Sequence, residues 1–240
     1  MRIAENNMIE NLPIVSVIIV VKNGERYLAR AIESVLAQTY ENYEIIVVDG
    51  QSIDNTEKIA KSFQQVRYVR QTGEGIADAY NQGIDASRGE FIAFLSHDDT
   101  WTTNKLSSQV NYLIQHPEIQ YTVAKVKFFL EEGHSIPPGF RPELLSGDSV
   151  GCIMETLVVR KPLFAAIGKL NPEFIVAEDV DWFCRAKDNN VTMAVMPEVL
   201  LHKHIHNTNL SLNSSVNNQN LLKIMRQSIE RKRNQKLEQK

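Results

Sequence analysis

The sequence predicts an α/β protein with a doubly wound, mostly parallel central sheet and flanking helices, and three observations carry that expectation. The runs "VSVIIVV" (15–21), "YEIIVVDG" (43–50) and "EFIAFLS" (90–96) are continuous and apolar, the first rich in β-branched residues, the pattern of strands covered on both faces. Segments of helical period lie between them, so strand and helix alternate as right-handed crossovers demand. Polar residues stand at the carboxyl ends of these runs, namely Asn23, Asp49 and the pair Asp98 and Asp99, where such sheets bind ligands. Taken singly, Asp49 and Asp98 read equally well as cap or turn residues. Three polar strand ends on one edge favour a site.

Along the chain, the first strand turns through "NGE" into "RYLARAIESVLAQT", where Leu28, Ala31, Ile32, Val35 and Leu36 recur at helical spacing. The second strand ends on Asp49 and Gly50. Asp54, with Glu57 three residues later, resembles a capping box that opens the helix "TEKIAKSFQQ". "VRYVRQ" reads as a third short strand, "GIADAYNQGIDAS" as a helix ended near Gly89, and "EFIAFLS" as the fourth strand. Beyond about residue 105 the alternation loosens. "NKLSSQVNYLIQH" is an amphipathic helix stopped by Pro117, "YTVAKVKFFL" a strand, and "EEGHSIPPGFRPELLSGDS" a variable loop. "METLVVRK" reads as a strand, "PLFAAIG" as a short helix closed by Gly168, "EDVDWFCRAKDN" as a helix, and "TMAVMPEVLLHKHIH" as a final strand region. From Ser214 the chain is Asn/Gln-rich and then basic. There Leu221, Leu222, Ile224, Met225 and Ile229 suggest an amphipathic helix that packs on the body, rests on a membrane surface or is solvated.

With 240 residues, 43% hydrophobic and 23% charged, the chain can bury one substantial core. A net charge of −3 argues against nucleic acid as a partner. The longest apolar stretch, "LPIVSVIIVV", has ten residues, half of the roughly 20 needed to cross a bilayer. "MRIAENNMIEN" lacks the apolar region of a signal peptide. Cys152 and Cys184 have no metal-type spacing and suit a reducing, cytoplasmic setting.

Vicinal carboxylates at a strand end offer hard oxygen ligands that suit Mg²⁺ or Mn²⁺. No "GxxxxGK[ST]" loop or "GxGxxG" turn follows the first strand, so a cation at Asp98 and Asp99 would have to neutralise any bound diphosphate. A second acidic cluster, Glu178, Asp179 and Asp181, opens a helix, where the dipole is expected to lower carboxylate pKa values. Ordinary helix-end charge is one reading of it, and a catalytic base among the three is the other. His202, His204 and His206 alternate as on one face of a strand. They read as a bland surface strand or as the source of one histidine that approaches the metal.

At this point the residues resemble a known family. "VSVIIVVKNGERYLARAIESVLAQTYENYEIIVVDGQSIDNT", "GIADAYNQGIDASRGEFIAFLSHDD" and, more loosely, "AEDVDWFCRA" are similar to family 2 glycosyltransferases of the GT-A fold, over roughly residues 13 to 190. The resemblance implies a single Rossmann-like domain over 13–213, with a nucleotide-binding half (13–100) and an acceptor-binding half (101–213), an N-terminal extension over 1–12 and a basic tail over 214–240. It implies donor contacts from Asn23, Glu25, Asp49, Asp78, Asn81, His97 and Asp98. It places the metal at Asp98, Asp99 and His206, the last within "HNTNLS", and the catalytic acids at Asp179, the base, and its neighbour Glu178. The activity implied is inverting transfer from a nucleotide diphosphate sugar, UDP by family frequency, to a glycan or lipid-linked acceptor of surface-polysaccharide or lipopolysaccharide type. The setting implied is cytoplasmic, at the inner face of a membrane that the basic tail could touch. Ser96 departs from the pattern by standing where the family often has the first Asp of its metal motif. That departure keeps alive the alternative of a catalytically impaired binding or scaffold protein. Nucleotidyltransferases of similar fold carry a Gly-rich basic loop that "VVKNGERY" lacks.

Overall fold

The computed structural model describes residues 12–131, 135–207, 209 and 214–238. The leader and nearly all of the 1–12 extension, part of the 131–149 loop, and Ser211 of "HNTNLS" therefore lie outside the described residues. In the first half β1 (Val15–Val21), α1 (Leu28–Leu36), β2 (Tyr43–Asp49), α2 (Thr56–Ser62), β3 (Val66–Arg70), α3 (Ile76–Ala86) and β4 (Phe91–Ser96) alternate as expected. β1 pairs in parallel with both β2 and β4, and β2 with β3. Every residue of β1 is buried. Val15, Val17, Ile19 and Val21 pack with α1, while Ile18 and Val20 face the other side, with Ala77, Tyr80 and Ile84 of α3. Burial on both faces is the physical cause of the unbroken apolar run.

The second half adds β5 (Thr100–Trp101), α4 (Lys105–Gln115), β6 (Tyr121–Leu130), β7 (Asp148–Gly151), β8 (Val158–Arg160), α5 (Leu163–Ile167), α6 (Glu178–Asp188), β9 (Met193–Ile205) and α7 (Ser214–Glu238). The strands run in the order β3-β2-β1-β4-β8-β6-β9-β5, with β7 beside β6. Here the pairing is mixed, since β8 is antiparallel to β4 and β6, β5 to β9 and β7 to β6, and only β6 and β9 run parallel. Register shifts interrupt β6 and β9 between Val123 and Val126.

Three local expectations need correction. "METLVVRK" is not one strand, because Met154–Thr156 forms a 3₁₀ turn before β8. The long loop contains β7 and another 3₁₀ turn over Pro142–Ser146. Asp54 does accept from the Thr56 amide at 3.0 Å, but Glu57 pairs with Lys61 and closes no capping box.

Candidate functional site

The loops after β1 and β2 are stapled to each other. Asn23 takes a left-handed conformation, φ 52°, which Asn tolerates better than most residues. Its amide donates to Ser52 Oγ at 2.8 Å and its Oδ1 accepts from the Ile53 amide at 3.0 Å. Glu25 Oε2 accepts from Asn55 through the backbone at 3.1 Å and the side chain at 2.8 Å. Asp49 is buried, with Oδ1 accepting from the Ser52 amide (2.9 Å) and hydroxyl (2.6 Å) and Oδ2 from Tyr68 OH at 2.7 Å. It therefore pins the 50–52 turn. Asp78 accepts from Gln71 and Gln82. Asn81 spends its amide on Leu170, donating to the carbonyl at 2.8 Å and accepting from the N–H at 3.0 Å. Its evident task is to fasten α3 to the segment after α5.

The adjacent carboxylates that follow β4 part company. Asp98 Oδ2 meets His206 Nε2 at 2.8 Å and accepts from Asn209 Nδ2 at 3.2 Å. Burial works to raise the Asp98 pKa, but the His206 hydrogen bond and the charges of His97 and Lys203 hold it below the usual carboxylate range. Tyr27 stacks on His206 at 5.3 Å between ring centres. His97 lies over Gly24, where an added Cβ would come within 2.6 Å of the ring, and burial lowers its pKa.

Asp99 turns the other way and is 0% exposed. Its Oδ1 accepts from the His204 amide at 2.8 Å and its Oδ2 from Lys203 Nζ at 2.9 Å. The same ammonium reaches Glu155 Oε1 at 3.2 Å, and Ser96 Oγ donates to that oxygen at 2.6 Å. Burial opposes the Lys203 charge, but Asp99 and Glu155 overcome it and raise its pKa. Burial and the neighbouring acids push Asp99 up, yet with an ammonium and an amide on its two oxygens it is held as the anion of a buried ion pair. Asp99, expected as a metal ligand, has both oxygens engaged, one by Lys203 and one by the His204 amide.

The acids of α6 also divide. Asp181 is buried and paired with Arg185 at 2.8 Å, whose guanidinium in turn caps the carbonyls of Ile167, Gly168 and Lys169. This is a structural brace. Glu178 is buried with Oε2 lacking a hydrogen-bond partner among the described residues, and burial, then the Asp179 charge, pushes its pKa to about 8. Asp179 is half-buried and accepts from the Val180 amide at 2.6 Å. Burial and the charge of Glu155 raise its pKa to about 6, against the Val180 amide and Lys203, which lower it. The expectation that the helix dipole would lower these values is overturned, because desolvation outweighs it. Val176, just before the pair, has φ 71°, a strained conformation for a β-branched residue that costs about 1–3 kcal/mol.

The structure therefore gathers Asp98 with His206 and ties Asp99 and Glu155 together through Lys203, and the charges of Glu155 and Lys203 are felt at Asp179; Glu155 and Lys203 are absent from the sequence expectations. His204 is buried, stacked on Phe129 at 4.9 Å, and burial lowers its pKa to about 4. Among the described residues no group of three or more His, Cys, Asp or Glu has the arrangement of a metal site. The donor set fits a hard cation only in part, with one carboxylate (Asp98) and one imidazole (His206), the remaining positions falling to water and ligand phosphate as Mg²⁺ commonly accepts.

The sequence pattern of Glycosyl transferase family 2 matches residues 16–158. The chain is 35% identical over 189 residues to an "Uncharacterized glycosyltransferase" of Rickettsia felis, covering 71% of this chain but only 31% of that protein. It is 33% identical over 193 residues to the Escherichia coli "UDP-Glc:alpha-D-GlcNAc-diphosphoundecaprenol beta-1,3-glucosyltransferase WfgD", covering 75% of this chain and 72% of that one. The crystal structure of S. aureus TarS 1-349 in complex with UDP superposes with a TM-score of 0.68 at 18% identity, covering 90% of this chain and 64% of that one, a likeness of fold.

Proposed function

The chain belongs to Glycosyl transferase family 2, and from that premise we propose that it transfers a sugar, with inversion, from a UDP-sugar to a hydroxyl of a glycan or lipid-linked acceptor. WfgD, whose name specifies a UDP-Glc donor and a diphosphoundecaprenol-linked acceptor, supports the choice of both partners. The observation that carries the reading is the pair of unlike carboxylates, Asp98 bonded to His206 at 2.8 Å and Asp179 half-buried at the start of α6. Asp98 is held ionised, whereas Asp179 titrates near 6, the range a general base needs at neutral pH.

In the proposed reaction Asp179 accepts the proton of the acceptor hydroxyl as its oxygen attacks the anomeric carbon from the face opposite the leaving group. The new C–O bond forms as the bond from the anomeric carbon to the diphosphate oxygen breaks, and that electron pair leaves with the nucleoside diphosphate. This single displacement inverts the anomeric centre. Glu178, protonated near neutrality, adds no second charge beside Asp179. Asp98 and His206 would hold Mg²⁺ or Mn²⁺, which when bound supplies charge neutralisation for the departing diphosphate. We assign the donor to the 13–100 half, where Asp49 shapes the turn under the base, Asn23 and Glu25 fix the mouth, and Asp78 and His97 border the diphosphate. Asn81 acts there through α3. The acceptor falls to the 101–213 half, and the reaction to the cytoplasm.

The engagement of Ser96 by Glu155 and of Asp99 by Lys203 favours a second reading, a nucleotide-sugar binder without turnover. UDP release from a panel of UDP-sugars with and without Mn²⁺, run beside UDP-induced thermal shifts, separates the two. Turnover supports the transferase, a thermal shift alone supports the binder, and neither sinks both.

A further inference from the structure

Helix α7 is built the reverse of a helix that only packs on its own domain. Polar contacts hold its inner side: Asn220 donates to the Ile175 carbonyl, Lys223 pairs with Glu173 at 2.9 Å, Ser228 and Arg231 donate to the Asp188 carboxylate at 2.9 Å, and Gln235 to the Asp188 carbonyl at 3.2 Å. Among its described residues only Ile224 is buried, against Phe174 and Ala177. Leu221 is half-buried, whereas Leu222, Met225, Ile229 and Leu237 face solvent, exposed by 59, 61, 57 and 70%. Leu222, Met225 and Ile229 stand at i, i+3 and i+7, a single stripe, and the exposed Arg226 and Arg233, at i+4 and i+11, share it. An ordinary amphipathic helix turns its apolar stripe to the core.

Charge says what covers this face. α7 carries six Lys or Arg against two Glu, and since Lys223, Arg231 and Lys232 are paired with Glu173 and Asp188 of the body, Arg226 and Arg233 are the cations that stand beside the exposed stripe. Two copies apposed on the stripe would press Arg226 and Arg233 against their own kind. An anionic bilayer instead takes the apolar side chains at its acyl boundary and meets the guanidinium groups with headgroup phosphates. We propose that the outward face of α7, centred on Leu222, Met225 and Ile229 and flanked by Arg226 and Arg233, docks on an anionic phospholipid bilayer. Because α7 is fastened to residues 173–177 at one end of α6 and to Asp188 at the other, docking sets the helix that carries Asp179 in a fixed relation to the lipid surface.

The test uses the full chain, with no donor or acceptor present, co-sedimented with vesicles of phosphatidylcholine alone or mixed with phosphatidylglycerol. Failure to bind therefore leaves the proposed transfer reaction untouched, and failure of turnover leaves docking untouched. Binding to the mixed vesicles, weakened by salt, is expected. Leu222→Ser/Met225→Ser/Ile229→Ser should weaken it about tenfold or more. Arg226→Ser/Arg233→Ser should weaken it roughly 30-fold, as expected for about 1 kcal/mol per cation near the surface. Unchanged thermal midpoints would show that both variants remain folded. Equal binding to both vesicle types, or binding indifferent to both variants, overturns the proposal. So does a dimer seen by light scattering that the triple substitution dissolves, with no vesicle binding, since that assigns the face to a second copy.

Discussion

Replacing the Asp179 carboxylate by a carboxamide removes the proton acceptor and little else. In Asp179→Asn the side-chain oxygen can still accept from the Val180 amide, now 2.6 Å away, so the start of α6 has no reason to move. A positioned general base contributes roughly 10²–10⁴-fold, equivalent to about 2.7–5.5 kcal/mol of barrier. The loss should fall on turnover and spare UDP affinity, because the donor contacts lie on other elements. The pH profile gives a second readout. With its pKa raised to about 6, Asp179 is the active, ionised base above that pH, so the wild-type rate should climb through pH 6 and level off. The Asp179→Asn profile should be flat across the same window. Removing the Glu155 charge, which helps hold the value up, should move the wild-type inflection to lower pH. UDP release from UDP-glucose and UDP-GlcNAc with a diphosphoundecaprenol-linked sugar as acceptor, together with calorimetric titration of UDP, measures both. A variant that keeps most of its rate, retains the inflection, or loses UDP affinity in step with turnover refutes the assignment.

The other expectations concern the divided acids. Asp98→Ala and His206→Ala should each abolish Mn²⁺-dependent strengthening of UDP binding measured by calorimetry, and its survival in both would remove them as metal ligands. Lys203→Met should lower stability by roughly 3–5 kcal/mol in denaturant unfolding by leaving Asp99 and Glu155 buried without their cation; an unchanged midpoint would mean that the ion pair is not formed. Glu178→Gln should gain on wild type as pH rises. The folded pKa of about 8 lies above the ordinary carboxyl value of 4.5, so the folded state keeps a proton that the unfolded chain releases, and wild-type stability falls across that window. Parallel thermal midpoints of the two proteins from pH 5 to 9 would refute the buried, protonated assignment.

The parallel half of the fold was legible in the sequence because β1, β2 and β4 are covered on both faces and so cannot alternate. The division of labour at Asp98 and Asp99 was not, because the partners are 108 and 104 residues away and burial decides which acid meets which cation. A signal for Lys203 did exist, as the one Lys between His202 and His204 at the end of β9. Glu155 likewise interrupts "CIMETLVV". The pKa values of Glu178 and Asp179 were read with the wrong sign, since a helix end visible in sequence says nothing about what packs over it. β7 escaped notice because its four residues "DSVG" have no apolar pattern.

The irregularity between β6 and β9 carries a consequence for insertions and deletions. Partners are 72 residues apart at Tyr121 and Met193 but 75 apart at Val126 and Leu201, an odd slippage in a structure whose side chains alternate in twos. The stretch around Pro197 and Glu198 therefore acts as a phase shifter, and it delivers Lys203 to Asp99 while its neighbour His204 lies against Phe129. Loss of one residue there would preserve every candidate group in the sequence and yet make ammonium and imidazoles trade places. Loss of two would restore the phase. The spacing of this segment, which holds no chemistry of its own, is as much a determinant of the site as the residues that line it.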